Sequence, residues 1–337
     1  MARHVTITDL ARRLGLSPST VSRALRDHPK ISEATKERVL AMAAQTRYQP
    51  NLIAQSLQNR RSNNIGVIVP EIRNTFFATV ISGIEEVAYR AGYTIMVCQS
   101  ADTVVREQLN VRALAANRVA GLMVSVSQET ENVDHLQEVV DQGIPLVLFD
   151  RVVESFAASK VVVDDFAAAY GLVQHLIEMG RSRIAHIGGT RTLSISRNRR
   201  QGYLAALADS GLAARQEYNL YGGHHEEDGR RGVDRLLALP KRPDAIFAVN
   251  DPVAIGAFVR LSERGVRIPQ DMALAGFSNN PNTALVRPQL TTVDQPAFEI
   301  GRQAAELLVK ILQQTVAADH LQTLVLPTRL IVRQSTL

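Results

Sequence analysis

The sequence predicts a small all-α module followed by a larger α/β body built as two doubly wound, parallel-sheet lobes. Three observations carry this expectation. The first fifth of the chain is basic and polar and reads as three short helices. From Asn64 onward, unbroken apolar strands alternate with helical segments, which implies parallel sheets covered on both faces. That theme then runs a second time over a similar length. A chain of 337 residues with 45% hydrophobic and 21% charged residues is ordinary globular material for two or three domains.

The charge is uneven. Residues 1–62 hold eleven Lys and Arg against four Asp and Glu, a net of +7, whereas residues 63–337 hold 27 against 29. A compact basic module joined to a neutral body suits contact with a polyanion. No apolar run reaches the ~18 residues of a membrane span. The opening "MARHVTITDL" lacks the apolar core of a signal peptide. A single cysteine, Cys98, excludes an internal disulfide and a Cys-cluster zinc site. These features lead us to expect a cytoplasmic protein with no membrane partner.

In the basic module, Thr6 with Asp9 three residues on reads as an N-terminal cap for "DLARRLG", which Gly15 stops. Ser17 caps a second helix with Pro18 at its first position, where a missing N–H does no harm. Val21 and Leu25 form one narrow apolar seam, leaving Ser17, Pro18, Ser19, Ser22 and Arg23 on the offered face. Ser32 opens a third helix, "EATKERVLAMAAQTRY", with Val39, Leu40, Ala43 and Tyr48 available to a core. Two helices joined by a tight Gly-containing turn, braced by a third, are a helix-turn-helix, whose second helix enters a major groove. Next, "NLIAQSLQ" predicts a helix of about two turns, too short to stand alone in water. A polar linker follows it.

In the body, "IGVIVP", "YTIMVCQS", "VAGLMVSVS" and "IPLVLFD" predict one set of strands, and "KVVVDD", "RIAHIGG", "DAIFAVND" and "MALAGFSNN" a second. Ligands of such sheets sit at the carboxyl ends of strands, where Asp150, Arg151, Asn250, Asp251, Ser278 and Asn279 fall. Helix capping is the alternative role for these residues, for Asp251 before Pro252 above all. Arg197, Arg199 and Arg200 in "SRNRRQGY" read either as a solvated face or as a clamp on a polar ligand. Phe76 and Phe77 start a helix and read as core or as a cleft wall. No G-x-G-x-x-G follows a strand, no Walker A sequence occurs, and Ser196 lies outside any G-x-S-x-G elbow. We therefore expect no cofactor and no catalytic residue. "GGHHEED" (222–228) reads as an acid-capped helix start rather than a metal site, and we expect no metal.

The stretches "VTITDLARRLGLSPSTVSRAL", "ISEATKERVLAMAAQTRYQPNLIAQSL" and "NNIGVIVP", with "FAVNDPVAIGA", "RIPQDMALAGFSNN" and "LTTVDQP", resemble the LacI/GalR family of bacterial transcription regulators. The resemblance spans essentially the whole chain. It implies a helix-turn-helix domain over residues 1–50, a hinge helix and linker over 51–63, and a periplasmic-binding-protein-like core over 64–337. The core would split into lobes of about 64–162 with 294–323, and 163–293 with 324–337. It further implies a homodimer on palindromic operator DNA, most often a repressor, that responds to a small carbohydrate-type effector. No leucine heptads follow "RLIVRQSTL", so a dimer rather than a tetramer is expected.

Carried over residue by residue, the resemblance puts Pro18, Ser19 and Arg23 at base-reading sites, with Thr20 and Ser22 near phosphates and Thr6 and Ser17 completing the surface. The Arg23 fork matches guanine O6 and N7. In the hinge it adds Asn51, Ala54, Leu57 and Gln58; Leu57 matches a leucine wedged into the minor groove, and Gln58 stands where many relatives carry Lys. Opening a base step in this way takes a few kcal/mol and yields bent DNA that meets more protein. In the core the effector positions fall on Phe76, Phe77, Asp150, Arg199, His224, Asn250 and Ser278. Many sugar-binding relatives have Asp at the position of Ser278, so a sugar acid or sugar phosphate stands beside a plain sugar as the expected effector. A soluble sugar-binding protein or sugar-modifying enzyme is the alternative; it would leave the basic module without a role.

Overall fold

The structure, a computed structural model, describes residues 5–25, 27–46, 48, 62–317 and 319–337. Two units separate, Met1–Ser62 and Asn63–Leu337. In the first, α1 (Ile7–Leu14), α2 (Pro18–Leu25) and α3 (Glu33–Gln45) enclose Leu10, Ala11, Val21, Ala24 and Val39. The caps follow the sequence. The Asp9 amide donates to Thr6 Oγ1 (3.2 Å) and the Thr6 amide donates to Asp9 Oδ2 (3.0 Å). Gly15 ends α1 at φ +65°, where its amide reaches the last-turn carbonyls. The Thr20 amide donates to Ser17 Oγ at the start of α2 (3.1 Å). Leu25 is only partly buried, and Ala24 shares the inner seam with Val21.

Two expectations change here. Ser32 precedes α3 in extended backbone, but its hydroxyl bonds Thr35 Oγ1 (2.9 Å) rather than an amide. Leu40 is 53% exposed, not core. Lys36 and Val39 take the inner face of α3, and the next position is turned ~100° away. The expected hinge helix and its residues Asn51, Ala54, Leu57 and Gln58 lie outside the described residues.

The second unit carries two six-stranded sheets. One contains β1 (Asn64–Val69), β2 (Thr94–Gln99), β3 (Gly121–Val124), β4 (Leu146–Phe149), β5 (Ser159–Val163) and β11 (Thr323–Leu326), in the order β11-β5-β4-β3-β1-β2. The other contains β6 (Ile184–Gly188), β7 (Asn219–Tyr221), β8 (Ala245–Ala248), β9 (Ala273–Phe277), β10 (Thr291–Asp294) and β12 (Arg329–Ile331), in the order β12-β10-β9-β8-β6-β7. Every pairing is parallel except β10 with β12. Each sheet reverses its strand order at its first strand, the doubly wound signature. The chain passes between sheets after β5, after β10 and after β11. Strand residues extend to Val163 and Leu326, so the first and last passages fall slightly beyond the expected divisions at 162 and 323.

Helices cover both faces: α4 (Thr75–Arg90), α5 (Val104–Ala116), α6 (Asp134–Asp141) and α11 (Ala297–Leu312) on the first lobe, and α7 (Asp165–Glu178), α8 (Ser194–Asp209), α9 (Glu226–Leu237) and α10 (Asp251–Glu263) on the second. Paired glycines bring some helix backbones together. A Cβ on Gly83 of α4 would lie 2.1 Å from the Phe298 carbonyl of α11, and one on Gly301 of α11 would lie 2.0 Å from the Val80 carbonyl of α4. Gly229 and Gly256 do the same for α9 and α10.

The last residues close the second lobe. Ser335 Oγ donates to the Leu274 carbonyl (2.5 Å) and accepts from the Thr291 amide (2.9 Å). Thr336 Oγ1 bonds His175 Nε2 (2.8 Å) and Thr291 Oγ1 (2.7 Å).

Gly301→Ala should destabilise the core by about 1–3 kcal/mol, because backbone rather than a movable side chain blocks the new methyl. Gly171→Ala in α7, where nothing lies within 4 Å of the new atom, should be neutral or stabilising by about 0.5–1 kcal/mol. Urea unfolding of the two variants checks the contrast; equal midpoints would refute the close helix crossing.

Candidate functional site

The carboxyl ends of strands from both sheets face one cleft of about 400 Å³. Two strand exits have the same construction. Asp150, just past β4, sits at φ +57°, and Ser278, just past β9, sits at φ +114°. Such backbone costs an L-residue about 1–3 kcal/mol and collects at functional sites. Here it turns a polar side chain into the cleft at the end of a buried strand in each lobe. All seven expected effector residues, Phe76, Phe77, Asp150, Arg199, His224, Asn250 and Ser278, line this cleft.

Its charges are largely matched. Arg199 is 2% exposed. Its Nε donates to Asp165 Oδ1 (2.7 Å), its Nη1 donates to the Val249 carbonyl (2.7 Å), and the guanidinium lies 3.7 Å from the centre of the Phe277 ring. Arg151, also buried, donates from Nη1 to Asp102 Oδ1 (2.5 Å) and stands over Phe77. Asp150 has no such direct ion pair among the described residues. Burial pushes its carboxyl up to about 6, with Arg151 and Arg199 pulling against that rise.

His224 is buried, and burial, helped by Arg151 and Arg199, holds its imidazole well below the usual value, so the ring is neutral near pH 7. Its Nε2 shares a hydrogen bond with Ser196 Oγ (3.2 Å), while Nδ1 has no partner among the described residues. A buried polar atom without a partner in a cleft wall is a feature a ligand would satisfy. Phe76 and Phe77 meet edge to face, 5.2 Å between centroids, at the start of α4, which Asn74 caps. They give the cleft an apolar side.

Some expected residues have mainly structural duties. Asn250, not Asp251, caps α10: its Oδ1 accepts from the Val253 amide (3.0 Å) and its Nδ2 donates to the His224 carbonyl (2.9 Å). Asp251 is fully buried and accepts from the Asn280 amide (2.6 Å) and Thr292 Oγ1 (2.7 Å). The three arginines of "SRNRRQGY" diverge: Arg199 enters the cleft, Arg197 pairs with Glu154 (3.1 Å), and Arg200 donates to Asn219 Oδ1 (3.2 Å). In "GGHHEED" the His225 amide donates to Asp228 Oδ2 (3.1 Å), an acid-capped helix start. Among the described residues no group of three His, Cys, Asp or Glu could hold a metal ion.

Other cleft residues were not singled out from the sequence. Gln295 accepts from Ser278 Oγ (2.8 Å), and Asp102 and Asp165 hold the two arginines. The polar "DQP" that ends β10 is the strand-end signal that could have found Gln295. Asp102 carries no such mark. In the helix-turn-helix unit Ser17, Pro18, Ser19 and Arg23 are exposed, Thr20 and Ser22 are half-buried, and Thr6 is exposed beside its cap.

The comparisons with known proteins agree with this architecture. The profile of bacterial regulatory proteins of the lacI family matches residues 6–51, and that of the periplasmic binding protein-like domain matches residues 173–336. Catabolite control protein A of Priestia megaterium is 33% identical over 335 residues, 99% of each chain. The chain belongs to the LacI family. The HTH-type transcriptional repressor PurR of Vibrio cholerae is 33% identical over 307 residues, 90% of each chain. Among solved structures, a complex of the transcriptional regulator CelR with cellobiose is similar at 26% identity and a TM-score of 0.76, covering 98% of this chain and 100% of that one. This LacI-family member is thus a DNA-binding transcription regulator with a ligand-binding core. Among the described residues no helix is long and apolar enough to cross a membrane.

The folded Asp150 carboxyl titrates near 6, above its ordinary 3.8. Its protonated form therefore favours the fold below about pH 4, and that contribution is lost as pH rises through 6. Asp150→Asn should be more stable than the parent at pH 8 by on the order of 1–3 kcal/mol, with the gap closing toward pH 4. Thermal melts across pH 4–8 check this; a gap independent of pH would refute it.

Proposed function

We propose that the chain is a cytoplasmic, homodimeric repressor that binds a palindromic operator and is controlled by a neutral sugar in the cleft between its lobes. The observation that carries the reading is a capped helix-turn-helix unit and a polar, two-lobed cleft joined in one chain that aligns end to end with a known regulator. The repressor role draws on the relatives named as repressors, and the sugar class on the cellobiose complex of a structural neighbour.

The choice of a neutral ligand rests on the cleft's charge. Arg151 and Arg199 each already face a buried carboxylate, so neither brings an uncompensated positive charge to a sugar acid or sugar phosphate. Among the described residues, the groups left for a ligand are the Asp150 carboxyl, which has Gln295 but no direct ion pair, His224 Nδ1 and the remaining guanidinium donors, beside the aromatic pair Phe76 and Phe77. Hydroxyls both donate and accept, and a sugar's C–H face covers an aromatic wall, so a polyol uses all of these. Asp150 accepts most strongly when ionised, so sugar affinity should fall below about pH 6.

On the DNA side the proposal assigns Ser17, Pro18, Ser19 and Arg23 to the base edges and Thr6, Thr20 and Ser22 to phosphates. Ligand and DNA would be coupled by a free energy of about 1–3 kcal/mol, altering operator affinity by about 5–150-fold. Whether the ligand weakens or strengthens binding, the coupling is reciprocal.

Selection from a random duplex pool, followed by fluorescence anisotropy, tests the reading. One palindromic motif should emerge, and Arg23→Ala should weaken it by about 1–3 kcal/mol while relaxing one base position. A panel of neutral sugars should contain one that shifts this affinity, and Asp150→Asn should abolish the shift while leaving DNA binding intact. Equal affinity for every duplex at moderate salt would overturn the regulator; a response to sugar phosphates alone would overturn the neutral-ligand assignment.

A further inference from the structure

A second cavity, of about 200 Å³, lies in the second lobe beyond the carboxyl end of β6. Arg191, Arg197, Arg200 and Tyr221 line it, with His186 and Gly188 at the end of that strand. The Arg191 guanidinium carbon is 4.0 Å from the centre of the Tyr221 ring, and that of Arg200 is 5.5 Å from the same centre. Two cations are thus gathered about one phenol. Arg197 differs, since its Nη2 donates to Glu154 (3.1 Å) and its Nη1 to the Thr192 carbonyl (2.5 Å). No ion pair joins Arg191 or Arg200 to a carboxylate among the described residues; Arg200 donates from Nε to Asn219 Oδ1, a neutral amide. Each retains guanidinium donors outside these bonds.

The strand end supplies a second, independent feature. His186 is fully buried, stacks on Phe247 (4.6 Å between centroids) and meets the tilted ring of Tyr203 (5.3 Å). Its Nδ1 lies 3.0 Å from the Phe247 carbonyl, an acceptor, so Nδ1 carries the proton and Nε2 carries a lone pair. Burial takes the ring down to about 4, so it is neutral near pH 7. Nε2 has no donor among the described residues. A Cβ at Gly188 would come within 3.1 Å of it, so glycine leaves room beside this nitrogen at the cavity that both residues line.

Guanidiniums without carboxylates call for an oxyanion, and an acceptor nitrogen calls for a hydroxyl. We propose that this cavity is a second ligand site, which takes a phosphate group bearing its own O–H: Arg191 and Arg200 hold the oxyanion, and the O–H donates to His186 Nε2. The site is separate from the sugar cleft, although Ser196 lines it and bonds His224 on the cleft side. It therefore stands or falls independently of the effector assignment.

Calorimetric titration of the full chain with inorganic phosphate near pH 7, at constant ionic strength, tests this. One saturable site per chain is expected. Arg191→Ala and Arg200→Gln should each weaken it at least about tenfold while melting like the parent. Arg191 is exposed, so its variant should fold. Sulfate has the same shape but no proton to donate, and should bind at least about fivefold more weakly. Absence of saturable phosphate binding in the millimolar range, or binding that both variants retain in full, would overturn the site. Equal affinity for sulfate would overturn the part given to His186.

Discussion

One guanidinium organises the ligand-binding end of the second lobe. Arg199, from α8, joins Asp165 at the start of α7, the Val249 carbonyl beyond β8 and the Phe277 ring at the end of β9. Three strand ends are thereby held to one planar group. A buried ion pair contributes little net stability against an apolar replacement of the same shape, but removing one partner leaves a stranded charge that costs about 3–5 kcal/mol. What the pair secures is geometry. Asp165 follows directly on the chain's first passage between lobes, so the same contact fixes where the second lobe begins relative to its cleft.

Around that anchor the cleft keeps groups that the fold would be more stable without. Asp150 and Ser278 occupy positive-φ backbone, and among the described residues Asp150 is a buried carboxyl without a direct counter-ion and His224 Nδ1 has no partner. Each departs from the local rules that otherwise hold along the chain, and all three meet in one cavity. The helix-turn-helix unit shows the opposite economy. The caps of its first two helices are satisfied, its apolar residues are gathered inward, and its polar recognition residues are left outward.

Much of this was legible in the sequence because it is local. Caps at Thr6 and Ser17 are read from residues three positions apart, and the buried strands from uninterrupted apolar runs. The strand-end residues could be placed at the cleft because a doubly wound sheet gathers its carboxyl ends. What was not legible depends on distant partners. Arg151 meets Asp102 across 49 positions and Arg199 meets Asp165 across 34, and no spacing in the sequence announces either pair. Nor did periodicity separate Leu40 from Val39, since one helical step divides an inward from an outward residue. The short strands β7, β10, β11 and β12 were missed because each begins on Asn, Thr or Arg and none forms the long unbroken apolar run that marks β3, β4 and β8.

The order of segments along the chain has a consequence for synthesis. The first lobe lacks α11 and the sheet-edge strand β11 until residues 297–326 exist, and the second lacks β12 and the Ser335–Thr336 bonds until residues 329–336 exist. Neither lobe can therefore finish folding until those late residues have left the ribosome. The amino-terminal helices, whose contacts are all short in sequence, face no such delay, so the two units should mature at different times during translation.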